Sequence, residues 1–256
     1  MLTTINGKEL WIETTGEGDP VVMVHGLGGT STFFDAVSTR LASSNQVTAF
    51  DLEGHGRSPL SGDLSIPGWA EDLGAVLDHL GASSASIVSH SMGTVIAQEF
   101  AAHNPDRVKK LVLLGPIREL PDGGRDGLRD RATTVRENSM GAVAAGIANG
   151  GTGPRTKEAR PEVVGYARES LLRQDDEGYA AACEALAASE DADQEAISCP
   201  VLLVTGTDDG LAPPEKAERL AAGFTNGHLE VIDGIGHWTV IEAGIEVAAL
   251  VADFLA

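Results

Sequence analysis

The first residues of this chain that suggest chemistry form a short turn around a serine. Residues 86–93 read Ser-Ile-Val-Ser-His-Ser-Met-Gly and pass directly from an apolar run into a helical pattern. A strand that ends in small-x-Ser-x-Gly and turns at once into a helix raises the central serine above the end of the sheet. Ser89 stands where glycine is usual, and serine is the next residue that is small enough. The segment therefore predicts that Ser91 is a nucleophile.

Two later loops carry the groups that would activate such a serine. Val201–Thr205 leads into a loop with Asp208 and Asp209, and a second strand-like run leads into a loop with His237. A serine hydroxyl is a poor nucleophile until a base accepts its proton, and the base needs a carboxylate that holds its tautomer. We therefore predict His237 as the base and one of the two adjacent aspartates as the acid. The chain order serine, aspartate, histidine is typical of one class of α/β enzymes.

A glycine-rich loop, Val24–Gly29, follows another apolar run and is predicted to complete the site. Its glycines let the backbone bend towards the serine turn, so that the N–H groups of Leu27 and Met92 can form an oxyanion hole. The glycine spacing differs from the Gly-x-Gly-x-x-Gly of dinucleotide-binding loops, so we expect no nucleotide cofactor. Asp51–Ser58 also follows a strand, and we interpret it as a structural turn near the rim of the site.

Composition argues against several classes of partner. The chain has 256 residues, two cysteines and a formal net charge of -20. Nucleic-acid binding needs clustered Lys and Arg, and an anionic membrane repels an acidic surface, so neither partner is expected. His, Cys and carboxylate residues show no metal-ligand spacing, and the first residues do not have the pattern of a signal peptide. We expect a cytoplasmic enzyme with reduced thiols, a small-molecule substrate, no cofactor and no metal.

The elements that must position these residues alternate between strands and helices. Runs of consecutive apolar residues are typical of parallel strands covered on both faces, and apolar residues at three- and four-residue spacing predict helices. The alternation predicts an α/β fold with a mostly parallel central sheet flanked by helices. Antiparallel pairing is expected only in a hairpin around Asn6-Gly7. The predicted strands are Val21–Val24, Val47–Phe50, Ser86–Val88, Lys110–Leu114, Val201–Thr205 and His228–Ile232. The predicted helices are Phe33–Leu41, Trp69–Leu80, Met92–His103, Pro214–Ala222 and Ile245–Leu255.

This alternation stops between about residues 116 and 196, where no strong strand pattern occurs. Three amphipathic helices are predicted there, at Val135–Ile147, Pro161–Arg173 and Glu177–Ala188. A single crossover between two strands needs far fewer residues, so we interpret the segment as a helical cap inserted after the sixth strand. The predicted domains are a core of residues 1–115 and 197–256 and a cap of residues 116–196.

Substrate contacts are predicted next to the base and in the cap. Trp238 follows His237 and is expected either to line the acyl pocket or to cover the core. Guanidinium groups bind carboxylates in bidentate fashion, so the cap arginines are candidates for anchoring a substrate carboxylate. The alternative is that they pair with nearby Asp and Glu side chains. These arginines are Arg118, Arg125, Arg129, Arg131 and Arg136.

Five motifs together resemble the α/β-hydrolase superfamily, from about residue 9 to the end of the chain. They are His25-Gly26-x-Gly28, Asp51-x-x-Gly54-x-Gly56-x-Ser58, Ser89-x-Ser91-x-Gly93, Gly206-x-x-Asp209 and Gly236-His237. The resemblance implies the α/β-hydrolase fold and identifies Asp209, rather than Asp208, as the acid. Within the superfamily the chain is similar to 3-oxoadipate enol-lactonases and to related cofactor-free haloperoxidases and esterases. Asp176–Leu186 resembles the last cap helix of the lactonases.

The residues and the resemblance together predict a serine hydrolase that cleaves a carboxylic ester or a lactone through an acyl-enzyme. The resemblance of the cap helix favours a lactone over an acyclic ester. A serine nucleophile excludes the haloalkane dehalogenases and epoxide hydrolases of the superfamily, which use aspartate at that position. Two alternatives stay open: a non-catalytic small-molecule receptor on the same fold, and an acyltransferase or perhydrolase that uses the same acyl-enzyme.

Overall fold

A sheet of eight strands forms the centre of the chain in a computed structural model, which describes residues 1–118 and 120–256. In chain order the strands are β1 (Leu2–Ile5), β2 (Lys8–Thr15), β3 (Asp19–Val24), β4 (Asn45–Phe50), β5 (Ala85–His90), β6 (Val108–Leu114), β7 (Val201–Gly206) and β8 (Gly227–Ile232). Across the sheet they lie in the order β1-β2-β4-β3-β5-β6-β7-β8. The strand that leads to Ser91 is therefore central.

The sheet is mostly parallel, which confirms the prediction. Strands β3 to β8 pair in parallel, and β1 pairs antiparallel with β2 as a hairpin. The expectation that antiparallel pairing stays within the hairpin is wrong, because Ile12–Thr15 of β2 also pairs antiparallel with Val47–Phe50 of β4. This pairing satisfies backbone groups of β4 that would otherwise form an open sheet edge. The hairpin is thus part of the sheet.

Eleven α-helices accompany the sheet in the described part of the chain, and none of them is long and apolar enough to cross a membrane. They are α1 (Asp35–Leu41), α2 (Ile66–His79), α3 (Met92–His103), α4 (Asp122–Asn138), α5 (Ala144–Gly151), α6 (Pro154–Ala159), α7 (Pro161–Leu172), α8 (Asp176–Ala187), α9 (Pro214–Ala222), α10 (Thr239–Glu242) and α11 (Gly244–Leu255). Every residue of β5 and of β7 is buried. Helices therefore cover both faces of the sheet, as parallel strands require.

The start of α2 shows how the sequence encodes these helices locally. Ser65 precedes the helix, and its hydroxyl oxygen accepts the Gly68 N–H at 3.1 Å, which satisfies one of the free donors of the first turn. Trp69, Leu73 and Leu77 follow at four-residue spacing and are all buried. The spacing places them on one face of the helix, which packs into the core.

Five of the helices, α4 to α8, lie between β6 and β7, and we refer to them as the helical insertion. The helix predicted at Val135–Ile147 is wrong. The chain leaves the helical conformation at Ser139, which has φ 64°, and a new helix begins at Ala144. Helix α4 instead extends back to Asp122 and packs against α8.

The helical insertion lies close to the loops at the carboxyl ends of the strands. Helix α8 approaches the loop after β4 at Gly178, where a Cβ atom would lie 2.4 Å from the Gly54 carbonyl oxygen. Gly165 is also within a helix of the insertion, but a Cβ atom there would have no neighbour within 4 Å. The first glycine is therefore required by packing, whereas the second is not.

Replacing these two glycines with alanine is expected to change stability in opposite directions. Gly165→Ala removes conformational freedom from the unfolded chain and raises the free energy of unfolding by about 0.5–1 kcal/mol. Gly178→Ala forces helix α8 away from the Gly54 carbonyl and lowers the free energy of unfolding by about 1–3 kcal/mol. Urea unfolding of both variants beside the wild type measures the difference. Equal stability of the two variants would contradict the close contact at Gly178.

Candidate active site

The turn at Ser91 joins β5 directly to α3 and holds the serine in a left-handed conformation. Ser91 has φ 53° and ψ -122°, which is unusual for a residue with a side chain. Its N–H donates to the Leu114 carbonyl at 2.9 Å. A Cβ atom at Gly26 would lie 2.7 Å from Ser91 Cβ, and one at Gly93 would lie 2.3 Å from the Val24 carbonyl oxygen. The turn therefore depends on glycine at both positions.

Ser89, which stands where glycine is usual, is accommodated inside the sheet. Its hydroxyl donates to the Val112 carbonyl of the neighbouring strand at 2.9 Å, and the residue is fully buried. A buried hydroxyl with a partner costs little. The departure from the usual motif thus leaves the turn intact.

Three side chains from three loops form one hydrogen-bonded row above the end of the sheet. Ser91 Oγ lies 2.7 Å from His237 Nε2, and His237 Nδ1 lies 2.9 Å from Asp209 Oδ2. An ionised carboxylate only accepts, so His237 donates from Nδ1 to Asp209 and accepts the Ser91 hydroxyl at Nε2. This tautomer lets the imidazole take up the serine proton. The structure thus brings together the three side chains predicted to react.

Asp209 is buried and is kept ionised by its partners. Burial raises the pKa of its carboxyl, but the charge and hydrogen bond of His237 and the N–H groups of Ala212 and Leu211 outweigh burial and lower the pKa to about 2. These two N–H groups donate to Asp209 Oδ1 at 2.8 and 2.9 Å. Asp208 is exposed and accepts a hydrogen bond from a neighbouring threonine. The structure therefore places Asp209, and not Asp208, against the imidazole.

The two backbone N–H groups expected to form an oxyanion hole have no acceptor in residues 1–118 and 120–256. Met92 is the first residue of α3, so its N–H has no partner within the helix. Leu27 lies in the loop after β3, which turns where the Gly29 N–H donates to the Gly26 carbonyl at 3.0 Å. This loop meets the Ser91 turn at Gly26. Both donors are thus free to bind an oxygen near the serine.

Three other histidines are buried around the Ser91 turn. Burial lowers the pKa of His25, and it lowers the pKa of His55 and of His90 to about 3. His25 Nε2 accepts the Leu52 N–H at 2.9 Å, and His90 donates from Nε2 to the His237 carbonyl at 2.8 Å. These neutral histidines hold backbone in place. Among the described residues, His237 forms a hydrogen bond with a carboxylate, whereas these three histidines do not.

Trp238 packs between the base loop and the helical insertion. It is 5% exposed, and its indole N–H donates to the Ala148 carbonyl at 3.3 Å. Its ring meets Phe33 edge-on, with centroids 5.9 Å apart, and stacks on His90 at 6.1 Å. A Cβ atom at Gly151 would lie 2.5 Å from its indole nitrogen. These contacts give Trp238 a packing role beside the base.

Most of the arginines considered for substrate binding already have partners. Arg136 bonds to Glu177 at 2.7 Å and to Glu184 at 2.9 Å. Arg129 pairs with Asp126 at 2.8 Å. Arg125 donates to three backbone carbonyls, and Arg118 bonds to a glutamine. The four side chains are therefore engaged within the chain.

Arg131 differs from the other four. It lies beside Tyr179 and Cys183 of α8, where its positive charge opposes the effect of burial on both groups. Burial still raises the pKa of Tyr179, and it raises the pKa of Cys183 to about 12. In the described part of the chain the Arg131 guanidinium forms no ion pair and, unlike Arg125, donates to no backbone carbonyl. Its charge is thus held in the helical insertion without a carboxylate.

Two polar side chains that organise the site were missed by the motif analysis. Gln174, between α7 and α8, donates to the Gly28 carbonyl at 3.2 Å and accepts the Gly56 N–H at 3.1 Å. Glu242, at the end of α10, is buried and accepts N–H groups of the base loop. Glu242 had a signal, since it is the one charged residue in the apolar stretch 239–243. Gln174 lies in a polar stretch and had none.

Neither a metal ion nor a thiol is indicated as a reactive group in the described part of the chain. Within the described ranges, no group of three or more His, Cys, Asp and Glu side chains is arranged to bind a metal ion. Cys183 and Cys199 are free, but burial raises their pKa values to about 12 and about 11, so neither is a ready thiolate. The arrangement can therefore activate one hydroxyl, that of Ser91, through a neutral imidazole.

Comparison with known proteins relates this chain to one family in both sequence and structure. The family described as alpha/beta hydrolase fold matches residues 19–244. A 3-oxoadipate enol-lactonase 2 of Acinetobacter baylyi is 31% identical over 189 residues, which cover 73% of this chain and 70% of the relative. A thermophilic esterase of Thermogutta terrifontis, solved with malate bound, has a TM-score of 0.93 at 29% identity and covers 100% and 97% of the two chains. An enol-lactonase of Burkholderia xenovorans LB400 has a TM-score of 0.92 at 25% identity and covers 100% and 99%.

The low pKa of Asp209 predicts a specific dependence of stability on pH. An unfolded aspartate titrates near about pH 3.9, whereas Asp209 in the fold titrates at about 2. Its ionised form therefore stabilises the fold above about pH 4 by about 2–3 kcal/mol, and this contribution is lost as the pH falls towards 2. The difference in unfolding free energy between the wild type and Asp209→Asn is expected to narrow over that range.

Urea unfolding between neutral and acidic pH measures this difference. Asp208→Asn is the matched control, because its carboxyl is exposed and has no part in the row. That variant is expected to follow the pH dependence of the wild type. A constant difference between wild type and Asp209→Asn at all pH values would contradict the ionised state of Asp209.

Proposed function

The chain belongs to the α/β-hydrolase-fold family, and we propose that it is a serine hydrolase that cleaves a carboxylic ester or a lactone through an acyl-enzyme. One observation carries this proposal: Ser91, His237 and Asp209 form a continuous hydrogen-bonded row at a left-handed turn. A serine in such a row is activated by its base. The substrate is a small molecule, and we assign the enzyme to the cytoplasm, since both of its cysteines are free thiols.

The proposed reaction begins with attack of Ser91 Oγ on the carbonyl carbon of the substrate. His237 Nε2 takes the hydroxyl proton, and the ionised Asp209 stabilises the imidazolium that results. When the tetrahedral intermediate collapses, this proton passes to the leaving alkoxide, which stays attached to the acyl group if the substrate is a lactone. Water then attacks the acyl-enzyme with His237 as base, releases the acid and restores Ser91.

The negative oxygen of the tetrahedral intermediate is assigned to the N–H groups of Leu27 and Met92. Support comes from two observations: neither N–H has an acceptor in the described residues, and Gly26 holds the Leu27 loop against Ser91. Each such donor is worth about 3 kcal/mol in the transition state. Because both donors are backbone groups, their positions depend on the loops rather than on a side chain.

Residues 116–196 are assigned as a cap that selects the substrate, over a core of residues 1–115 and 197–256. Support comes from contacts between this segment and the loops that carry the reacting groups. Gly151 accepts the N–H of His237 at 2.7 Å, and Gln174 holds the loop after β3. A substrate above Ser91 lies between these loops and the cap in the proposed complex.

Trp238 is assigned to the acyl side of the pocket. It adjoins the base in sequence, and it packs against Phe33 of the core and Ala148 of the cap. A large, nearly immobile ring at this position limits the size of the acyl group that can reach Ser91. A carboxylate on the substrate is expected to bind elsewhere, to a cation of the cap.

A lactone with a carboxylate is the substrate favoured within this class. Asp176–Leu186 resembles the last cap helix of enol-lactonases, and one relative is named 3-oxoadipate enol-lactonase 2. Of the five arginines considered for substrate binding, Arg131 is the one that has neither an ion pair nor a hydrogen bond to a backbone carbonyl or a glutamine in the described residues, and its charge lies beside Tyr179. A guanidinium without an internal carboxylate partner is suited to binding a substrate carboxylate. We therefore assign that carboxylate to Arg131.

Ser91→Ala is expected to lower kcat for any ester or lactone substrate by a factor on the order of 10⁶, because no other hydroxyl faces the imidazole. The measurement is turnover of aryl esters and lactones by purified protein, together with covalent labelling by a fluorophosphonate. The exposed Ser43→Ala is the control and keeps both activities. Full turnover by Ser91→Ala would remove the proposed mechanism.

Arg131→Gln tests the assignment of the substrate carboxylate. It is expected to lower kcat/KM for a carboxylate-bearing lactone by about 10- to 100-fold, the value of one charge-assisted hydrogen bond, and to leave an uncharged lactone unaffected. Arg129→Gln is the matched control, since Arg129 is an exposed arginine of the same helix. Equal losses on charged and uncharged lactones would refute the assignment.

A further inference from the structure

Glu242 is a buried carboxylate whose acceptors are directed at the backbone around the base. It is 2% exposed. Its Oε1 accepts the Gly236 N–H at 3.0 Å and the Trp238 N–H at 3.2 Å, and its Oε2 accepts the Gly153 N–H at 2.8 Å. Gly236 and Trp238 are the residues on either side of His237. One side chain therefore binds the chain just before the base, just after it, and in the helical insertion.

The charge of Glu242 has no cation to balance it within residues 1–118 and 120–256. Arg160 comes close, but its guanidinium donates to the backbone carbonyl of Glu242 and not to the carboxylate. Burial of a carboxylate is costly unless hydrogen bonds or a counter-charge compensate for it. Here the compensation comes from backbone N–H groups alone. The carboxylate and the three N–H groups therefore fix each other's positions.

The base loop is held at two further points. The N–H of His237 itself donates to the Gly151 carbonyl at 2.7 Å, and its carbonyl accepts the His90 imidazole at 2.8 Å. The N–H groups of residues 236 and 238 donate to the Glu242 carboxylate, and the N–H of residue 237 donates to Gly151. All three backbone N–H groups around the base therefore have an acceptor. The imidazole has little freedom to leave the line between Ser91 and Asp209, because the backbone that carries it is bound on all sides.

We propose that Glu242 is a positioning residue for the base. Its carboxylate sets the backbone on both sides of His237, so that the imidazole meets Ser91 and Asp209 together, and it fastens that backbone to the helical insertion through Gly153. This role rests on the proposed function. Small errors in the placement of a catalytic group cost about 100-fold in rate, so the effect appears in the chemical step rather than in substrate binding.

Glu242→Gln is the principal test. Both carboxylate oxygens accept N–H groups, so an amide NH₂ at either place faces a donor and pushes the base loop away. The rate constant for inactivation by a fluorophosphonate and the kcat for the best ester substrate are expected to fall by about 10- to 100-fold. KM is expected to change little. Glu246→Gln, an exposed carboxylate 3.7 Å from Arg155, is the matched control and keeps wild-type rates.

A second variant serves if Glu242→Gln does not fold. Glu242→Asp keeps the charge but withdraws the oxygens by one methylene. It is expected to lower the inactivation rate constant and kcat by a smaller factor than Glu242→Gln does. Urea unfolding shows which variants are folded at the assay temperature. Rates are compared only among folded proteins, so that a loss of rate reports the position of the base and not the amount of folded enzyme.

The outcomes separate the two proposals. A folded Glu242 variant that reacts with the fluorophosphonate at the wild-type rate overturns the positioning role and leaves the serine mechanism in place. A variant that loses affinity, with KM raised and kcat unchanged, also overturns it, because that pattern reports substrate binding. Wild-type protein that is not labelled at Ser91 overturns the proposed function, and the positioning role with it.

Discussion

The site depends on a steric constraint: backbone segments approach one another so closely around Ser91 that only glycine fits between them. Ser91 itself is held at φ 53°, a conformation that costs about 1–3 kcal/mol. Gly26 and Gly93 adjoin this turn, and Gly115 has φ 55° and would place a Cβ atom 3.2 Å from His237 Nδ1. Gly206, just before the Asp209 loop, would likewise place a Cβ atom 2.1 Å from the Ile235 carbonyl oxygen. Gly236, next to His237, would place one 2.4 Å from the Gly151 carbonyl oxygen. Each loop that supplies a reacting group thus lacks a side chain at a close approach. The hydrogen-bonded row forms because those side chains are missing.

The helical insertion also holds the site in place, through hydrogen bonds to two of its loops. It binds the loop after β3 through Gln174 and the base loop through Gly151, whose carbonyl accepts the His237 N–H. These bonds satisfy polar groups that would be costly to bury unpaired. Since the same segment contacts both loops, a change in the insertion that alters substrate fit also displaces the reacting groups. The proposed roles of the insertion in substrate selection and of the two loops in catalysis are therefore coupled by backbone hydrogen bonds.

Sequence pattern was sufficient for the parallel strands β3 to β8, but it predicted neither the antiparallel pairing of β2 with β4 nor part of the insertion. Strands buried on both faces read as apolar runs, so Val201–Thr205 predicted β7 to within one residue. Helix α4 contains Gly123, Gly124 and Gly127, which oppose a helix locally. Packing against α8 overrides that preference. At the break, the Ser139 hydroxyl accepts the Gly141 N–H, which is a local contact, and the Met140 N–H donates to Asp176 of α8, which is a tertiary one.

Sequence pattern was also insufficient to predict which histidines are neutral and which arginines are paired. Motif order predicted that His237 is the base, but the sequence does not record the burial that keeps the three other histidines near Ser91 neutral. His25, His55 and His90 are kept neutral by burial, whereas His237 faces Asp209. Arginines follow the same rule, because a chain with a net charge of -20 has ample carboxylates to pair with most of them. The proposed recognition of a substrate carboxylate therefore depends on which cation the fold leaves without a carboxylate partner, and that is decided by tertiary contacts.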